Sequence, residues 1–152
     1  MKAKSFTLRD QSGNKRSLED YGDSYLVLYF YPKNFTSGCT KEAEAFRDAA
    51  AEIEKLGAVV VGVSKDTVES HAKFADKHGL GFTLLSDPDL AVTKRYEAFG
   101  TKNMYGKVVE GVKRSTFLIG PDGTLLEEWR NVRVAGHVEK VVEALRKAKS
   151  GA

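Results

Sequence analysis

Tyr25-Leu26-Val27-Leu28-Tyr29-Phe30-Tyr31 is an unbroken run of apolar and aromatic residues ending at Pro32. Seven such residues without polar alternation suit a strand buried on both faces, and they are far too few to span a bilayer. Pro32 stops the strand. A loop through Asn34, Thr36, Ser37 and Gly38 then leads into a helical pattern, in which Cys39, Ala43, Phe46, Ala50, Ile53 and Leu56 share one face. Gly57 closes that helix as a C′ glycine, and Ala58 to Val63 read as a second buried strand. Two buried strands joined by a helix make a parallel βαβ unit.

Downstream, Val68, His71, Ala72, Ala75 and His78 predict a second helix closed by Gly79, followed by a short strand from Phe82 to Leu85. Asp87-Pro88-Asp89 is expected to open a third helix reaching about Phe99, its start capped by the aspartates. Residues 100–112, with three glycines, read as a loop. Ser115–Ile119 and Thr124–Trp129 flank Pro121-Asp122-Gly123 and predict a hairpin, and Val138, Val141, Val142, Leu145 and Ala148 predict a closing amphipathic helix. Upstream, residues 1–23 are a polar lead-in with short strand or hairpin pieces around Gly13-Asn14. The order β-α-β-α-β-α-β-β-α is that of an α/β chain. The expectation is a thioredoxin-like fold, a mixed central sheet with helices on both faces, residues 1–152 forming one domain.

Composition narrows the function. At 152 residues with 41% hydrophobic and 30% charged side chains, the chain is neither disordered nor short of a core. The net charge of +3 is spread along the sequence instead of gathered in a stripe, so no nucleic-acid partner is expected. Met1 to Phe6 contain no apolar signal core, and no membrane partner is expected; the chain reads as cytoplasmic. Cys39 is the one cysteine, which excludes an internal disulfide, a CxxC redox pair and a cysteine-based zinc site. His71 and His78 stand one above the other by about 10 Å on a helix, too far apart to share a metal ion. His71, on the inward side, reads as a structural histidine. No metal or cofactor is expected.

Position alone leaves Cys39 two readings. It continues the apolar stripe as an inert core residue, or it is a nucleophile at the first turn of a helix, where free N–H groups and a partial positive charge stabilise negative charge on sulfur. Thr36 adds a hydroxyl three residues earlier, and Pro32 is placed to fix and shield the loop.

Pro32-Lys33-Asn34-Phe35-Thr36-Ser37-Gly38-Cys39 resembles the P-x-x-x-T-x-x-C signature of peroxiredoxins, and Phe30 to Ala43 resemble their bacterioferritin comigratory, or Q-type, branch. Gly62-Val63-Ser64-Lys65-Asp66 with Ser70-His71, then Leu84 to Asp89, then Arg114 to Ile119 are similar to the same branch, in the same order. The resemblance implies thiol-dependent reduction of hydrogen peroxide and organic hydroperoxides, serving antioxidant defence and redox homeostasis. It implies Cys39 as the peroxidatic cysteine, Thr36 as hydrogen-bond partner of the peroxide, Pro32 as shield, Arg114 as the guanidinium beside sulfur and substrate, and Glu42 as the group orienting Arg114.

Two departures stand out. Many members carry a resolving cysteine five positions after the first, where this chain has Glu44, and Ser37 replaces the usual proline. A one-cysteine cycle follows, in which a Cys39 sulfenic acid is returned to the thiol by an external reductant: thioredoxin, glutaredoxin with glutathione, or another low-molecular-weight thiol. A monomer or weak homodimer is expected. Two other readings stand beside this one. A thiol redox sensor or binding protein would be oxidised at Cys39 without turnover, and an inert scaffold would react at the rate of a free thiol.

Overall fold

A computed structural model describes residues 1–150. The chain begins with a hairpin, β1 (Thr7–Asp10) and β2 (Lys15–Ser17), and a 3₁₀ turn at Leu18–Tyr21. There follow β3 (Tyr25–Phe30), α1 (Ser37–Lys55), β4 (Ala58–Ser64), α2 (Val68–His78), β5 (Thr83–Ser86) and α3 (Ala91–Arg95). The last third holds β6 (Phe99–Met104), β7 (Lys107–Val112), β8 (Ser115–Ile119), β9 (Leu125–Trp129) and α4 (His137–Ser150).

Seven strands form one sheet in the order β2-β1-β5-β4-β3-β8-β9. Strands β3, β4 and β5 run parallel, while β8, β9 and β1 join antiparallel, so the sheet is mixed as expected. The central position of β3 explains its composition. Leu26, Leu28 and Phe30 point to one face, where they meet Phe6, Val92, Tyr96 and Phe117. Val27, Tyr29 and Tyr31 point to the other, against Phe46 and Ile53 of α1, Phe74 of α2 and Val141 and Leu145 of α4. None of the β3 residues from Leu26 to Phe30 is more than 1% exposed. Each large apolar side chain buried this fully contributes about 1.5–3 kcal/mol.

Gly57 and Gly79 close α1 and α2 in the left-handed region, at φ 77° and 62°, as the sequence predicts. Gly62 matters for a different reason. A Cβ there would stand 2.9 Å from the Tyr29 ring, so the glycine is what lets Tyr29 lie across the neighbouring strand.

Two expectations are corrected. The third helix does not reach Phe99; it ends at Arg95. It also starts later, at Ala91 behind Leu90, and the aspartates reach it from upstream, with the Asp87 carboxylate accepting from the Thr93 N–H at 2.8 Å and the Thr93 hydroxyl at 2.7 Å, and Asp89 accepting from the Ala91 N–H. The stop is a Schellman closure, with Ala98 N–H donating to the Thr93 carbonyl and Glu97 N–H to the Lys94 carbonyl. Its left-handed position is held by Glu97, at φ 59°, so no glycine marks the end in sequence.

Residues 100–112 are not a loop. β6 and β7 pair from Phe99↔Val112 to Met104↔Lys107 as a separate two-stranded ribbon. Tyr105 and Gly106, at φ 53° and 81°, make the doubly left-handed turn that matches strand twist. The other two glycines, Gly100 and Gly111, face each other across the ribbon, and the Lys113 and Lys102 side chains lie over them.

Candidate active site

The backbone between β3 and α1 is shaped residue by residue. Tyr31 N–H makes the last bond of the parallel ladder, to the Val63 carbonyl, and Pro32 has no N–H with which to continue. Asn34 is buried, Phe35 turns through the left-handed region at φ 65°, and Thr36 returns to an extended conformation at the N-cap of α1. The Phe35 conformation costs about 1–2 kcal/mol, and its ring packs edge-on against Phe74 at 5.1 Å. Thr36 does not cap the helix with its side chain. Its hydroxyl donates to the Lys33 carbonyl at 2.8 Å, which leaves the oxygen lone pairs as acceptors and the first-turn N–H groups of α1 without a side-chain cap.

Cys39 lies in that first turn and is 2% exposed. Arg114, between β7 and β8, donates through Nη2 to the Cys39 Sγ at 3.3 Å and through Nη1 to Glu42 Oε1 at 2.6 Å. One planar fork thus spans two acidic groups that lie three residues, almost one helical turn, apart. Gly38 makes room for it, since a Cβ there would stand 3.3 Å from Nη2. The Arg114 carbonyl accepts from the Val132 N–H, which fixes its backbone.

Glu42 is fully buried, and its Oε2 has no hydrogen-bond partner. Burial pushes its carboxyl up to about 7 against the opposing pull of Arg114. Burial works against the charge of Arg114, yet Glu42 and Cys39 together hold its pKa above the ordinary value. His137, at the head of α4, shares a hydrogen bond with the Thr116 hydroxyl at 2.8 Å. Burial, then Lys140 and Arg114, push it down to about 4, so it is neutral at neutral pH.

Of the five residues singled out in the sequence, the structure joins Cys39, Arg114 and Glu42 in one hydrogen-bonded triad. Thr36 is the N-cap of the helix that carries Cys39, and Pro32 opens the same loop. Among the described residues neither is hydrogen-bonded to Cys39, and Thr36 is exposed.

Sequence reasoning missed the scaffold beneath the loop. Asn34 receives the Tyr31 hydroxyl at 2.6 Å, and its Nδ2 donates to the Ser70 hydroxyl at 3.1 Å and lies 3.0 Å from His71 Nδ1. Its backbone N–H donates to Asp66, which also accepts from the Ser64 hydroxyl at 2.6 Å. The 2.9 Å contact of His71 Nε2 with the Leu85 carbonyl requires the proton on Nε2, so Nδ1 accepts from Asn34. Burial lowers the His71 pKa, consistent with that neutral tautomer. His71 is therefore the structural histidine expected. Asn34, two residues past a proline in a polar loop, carries no periodic signal that announces burial.

Comparison with known proteins places the chain among relatives. Residues 1–127 match the model of the AhpC/TSA family. Peroxiredoxin Bcp of Bacillus subtilis is 43% identical over 145 residues, covering 95% of this chain and 92% of the relative. Peroxiredoxin Bcp of Xanthomonas campestris is 45% identical over 134 residues, covering 88% and 84%. A solved structure of the Xanthomonas campestris bacterioferritin comigratory protein, described for its alkyl peroxide reduction activity, has a TM-score of 0.90 at 42% identity over 95% of this chain and 92% of that one. BcpB from Mycobacterium tuberculosis gives 0.86 at 36% identity over 97% and 95%.

Proposed function

The chain belongs to the AhpC/TSA family and is a thiol-dependent peroxidase, and from that premise we propose that Cys39 reduces hydroperoxides in a one-cysteine cycle completed by an external thiol. The observation that carries the residue roles is the Arg114 fork on both Cys39 and Glu42. A fixed guanidinium favours the thiolate, which is the nucleophile, and presents a second donor edge to a peroxide oxygen. Thr36, its own proton already given to the Lys33 carbonyl, offers an acceptor for the hydroperoxide O–H. The N–H groups of the first turn of α1, free of a side-chain cap, stabilise charge as it develops on the leaving oxygen. Pro32, half-buried at the start of the loop, limits water access. Glu42 holds the plane of Arg114.

Thiolate attack on the terminal peroxide oxygen forms the S–O bond and breaks the O–O bond, giving Cys39–SOH and an alcohol or water. With one cysteine in the chain, a first external thiol forms a mixed disulfide and a second releases Cys39. Hydrogen peroxide and small organic hydroperoxides are the substrates; thioredoxin, glutaredoxin with glutathione, or a small thiol is the reductant. Among the described residues, no helix is long and apolar enough to cross a membrane. We place the protein in the cytoplasm, acting as one domain and as a monomer or weak homodimer.

The test is multiple turnover of hydrogen peroxide with excess thiol, paired with intact mass after one equivalent of peroxide. Sustained turnover with one oxygen or one thiol adduct on Cys39 is expected, and Cys39→Ser abolishes both. A single oxidation without turnover would overturn the cycle in favour of a sensor.

A further inference from the structure

Arg114 is bonded to both Cys39 and Glu42, and no other cation among the described residues is bonded to either. With thiolate and carboxylate both ionised, one guanidinium would face two buried negative charges. Taking an unpaired charge out of water is strongly unfavourable, so the two acids compete for one counter-ion. The structure shows where the competition is resolved. Arg114 reaches only one oxygen of Glu42, and the other, Oε2, is buried with no partner. A carboxylate would leave charge density on an unsolvated atom there; a carboxylic acid leaves far less.

We propose, resting on the peroxidase reading above, that Glu42 is the redox-linked proton store of the site, protonated while Cys39 is a thiolate and ionised once Cys39 is a sulfenic acid. In the reduced enzyme, thiolate, guanidinium and carboxylic acid sum to no net charge. Attack on ROOH moves an electron pair from sulfur into the new S–O bond, the O–O bond breaks, and RO⁻ departs needing one proton. The sulfenic acid is neutral, so Arg114 turns its full charge to Glu42, which releases its proton. The balance is Cys39–S⁻ + Glu42–COOH + ROOH → Cys39–SOH + Glu42–COO⁻ + ROH. Reduction by two thiols, yielding their disulfide and water, restores thiolate and carboxylic acid together.

The other titratable groups of the site do not take this role. Tyr29 of β3 and Tyr31 just beyond it face Glu42 and Cys39, and burial pushes both well above the ordinary tyrosine value, so they stay neutral. His137 of α4 faces Arg114 and is pushed down to about 4, so it has no proton to give at neutral pH. Glu42, pushed up to about 7, is the carboxyl that exchanges a proton in the working range.

The experiment is infrared difference spectroscopy of the full chain carrying ¹³C-carboxyl glutamate, at neutral pH, before and after one equivalent of hydrogen peroxide. Intact mass is read on the same sample. The expected result is loss of a protonated-carboxyl C=O band with gain of carboxylate bands, in proportion to the oxygen added to Cys39, and absence of this change in Glu42→Gln. Should Glu42→Gln not fold, Glu42→Asp, which carries no label, removes the same band from the labelled set. One oxygen on Cys39 with no carboxyl change would overturn the inference and leave the peroxidase reading intact. No oxygen on Cys39 would overturn the peroxidase reading, and this inference with it.

Discussion

Arg114 and Glu42 stand 72 residues apart in the chain and 2.6 Å apart in space, and the same guanidinium reaches the Cys39 sulfur at 3.3 Å. The arrangement depends on a planar fork, because a point charge on a flexible stem cannot hold two acids in fixed geometry. Arg114→Lys keeps the charge and loses the fork. The second-order rate of Cys39 oxidation by hydrogen peroxide, followed by Trp129 fluorescence in stopped flow, is expected to fall by about 10²–10³-fold, the range for loss of one preorganised donor. A rate within twofold of wild type would remove Arg114 from the mechanism.

Gly38 sets how closely that fork approaches. Gly38→Ala brings a methyl group to 3.3 Å from Nη2, tighter than ordinary contact, so the guanidinium must give by a few tenths of an ångström and its bond to the sulfur lengthens. Oxidation slows by about tenfold, equivalent to roughly 1.4 kcal/mol, while the urea midpoint changes little. Equal rates for the two proteins would show that Arg114 has slack.

Thr36 is exposed and donates to the Lys33 carbonyl, so its worth to the reaction is as an acceptor. Thr36→Val removes the oxygen and Thr36→Ser keeps it. The valine variant is expected to lose about 2–10-fold in kcat/KM for hydroperoxide, from one neutral hydrogen bond, and the serine variant to retain most of it. Parallel losses in both variants would point to loop packing instead of the hydroxyl.

Asn34 ties the loop to α2 and to the segment between β4 and α2, through His71, Ser70 and Asp66. Asn34→Ala removes the 2.6 Å acceptor of the Tyr31 hydroxyl and the donor to His71 Nδ1, and leaves these two buried groups only their mutual 3.5 Å contact. The weakened pair costs about 1–3 kcal/mol in all, which urea denaturation will read. Cys39 oxidation slows as well, because the loop that places Thr36 and the start of α1 loses its anchor.

Glu42 and His137 bend stability with pH in opposite directions. The unfolded chain protonates His137 below about 6.5 while the native state holds it neutral down to about 4, so stability falls as pH drops through that window. The native state keeps the Glu42 proton to about 7 while the unfolded chain releases it from about 4.5, so stability falls as pH rises between those values. Each effect is on the order of 3 kcal/mol at full extent. Denaturation midpoints across this pH range are expected to flatten on the acid side in His137→Asn and toward neutral pH in Glu42→Gln. Unchanged slopes would sever the link between these groups and folding.

Whatever is written within one element was legible in the sequence. The doubly buried β3 run, the apolar stripe of α1 that begins at Cys39, the left-handed glycines 57 and 79 and the Pro121-Asp122-Gly123 turn all stand in the structure where periodicity and turn chemistry put them. Elements whose signals were carried by unusual residues were not. Glu97 closes α3 in a position glycine ordinarily takes, and Tyr105 shares with Gly106 a turn that asparagine ordinarily opens.

The single cysteine determined from sequence alone that any disulfide must be intermolecular. Only the tertiary structure decided what surrounds that cysteine. Arg114 precedes β8, and β8 lies beside β3 because the sheet order places it there, which brings the guanidinium over the start of α1. No local pattern encodes a meeting between side chains 72 and 75 residues apart, since it depends on strand order and on burial that removes competing water. The same burial makes Glu42 a group that holds its proton near neutral pH.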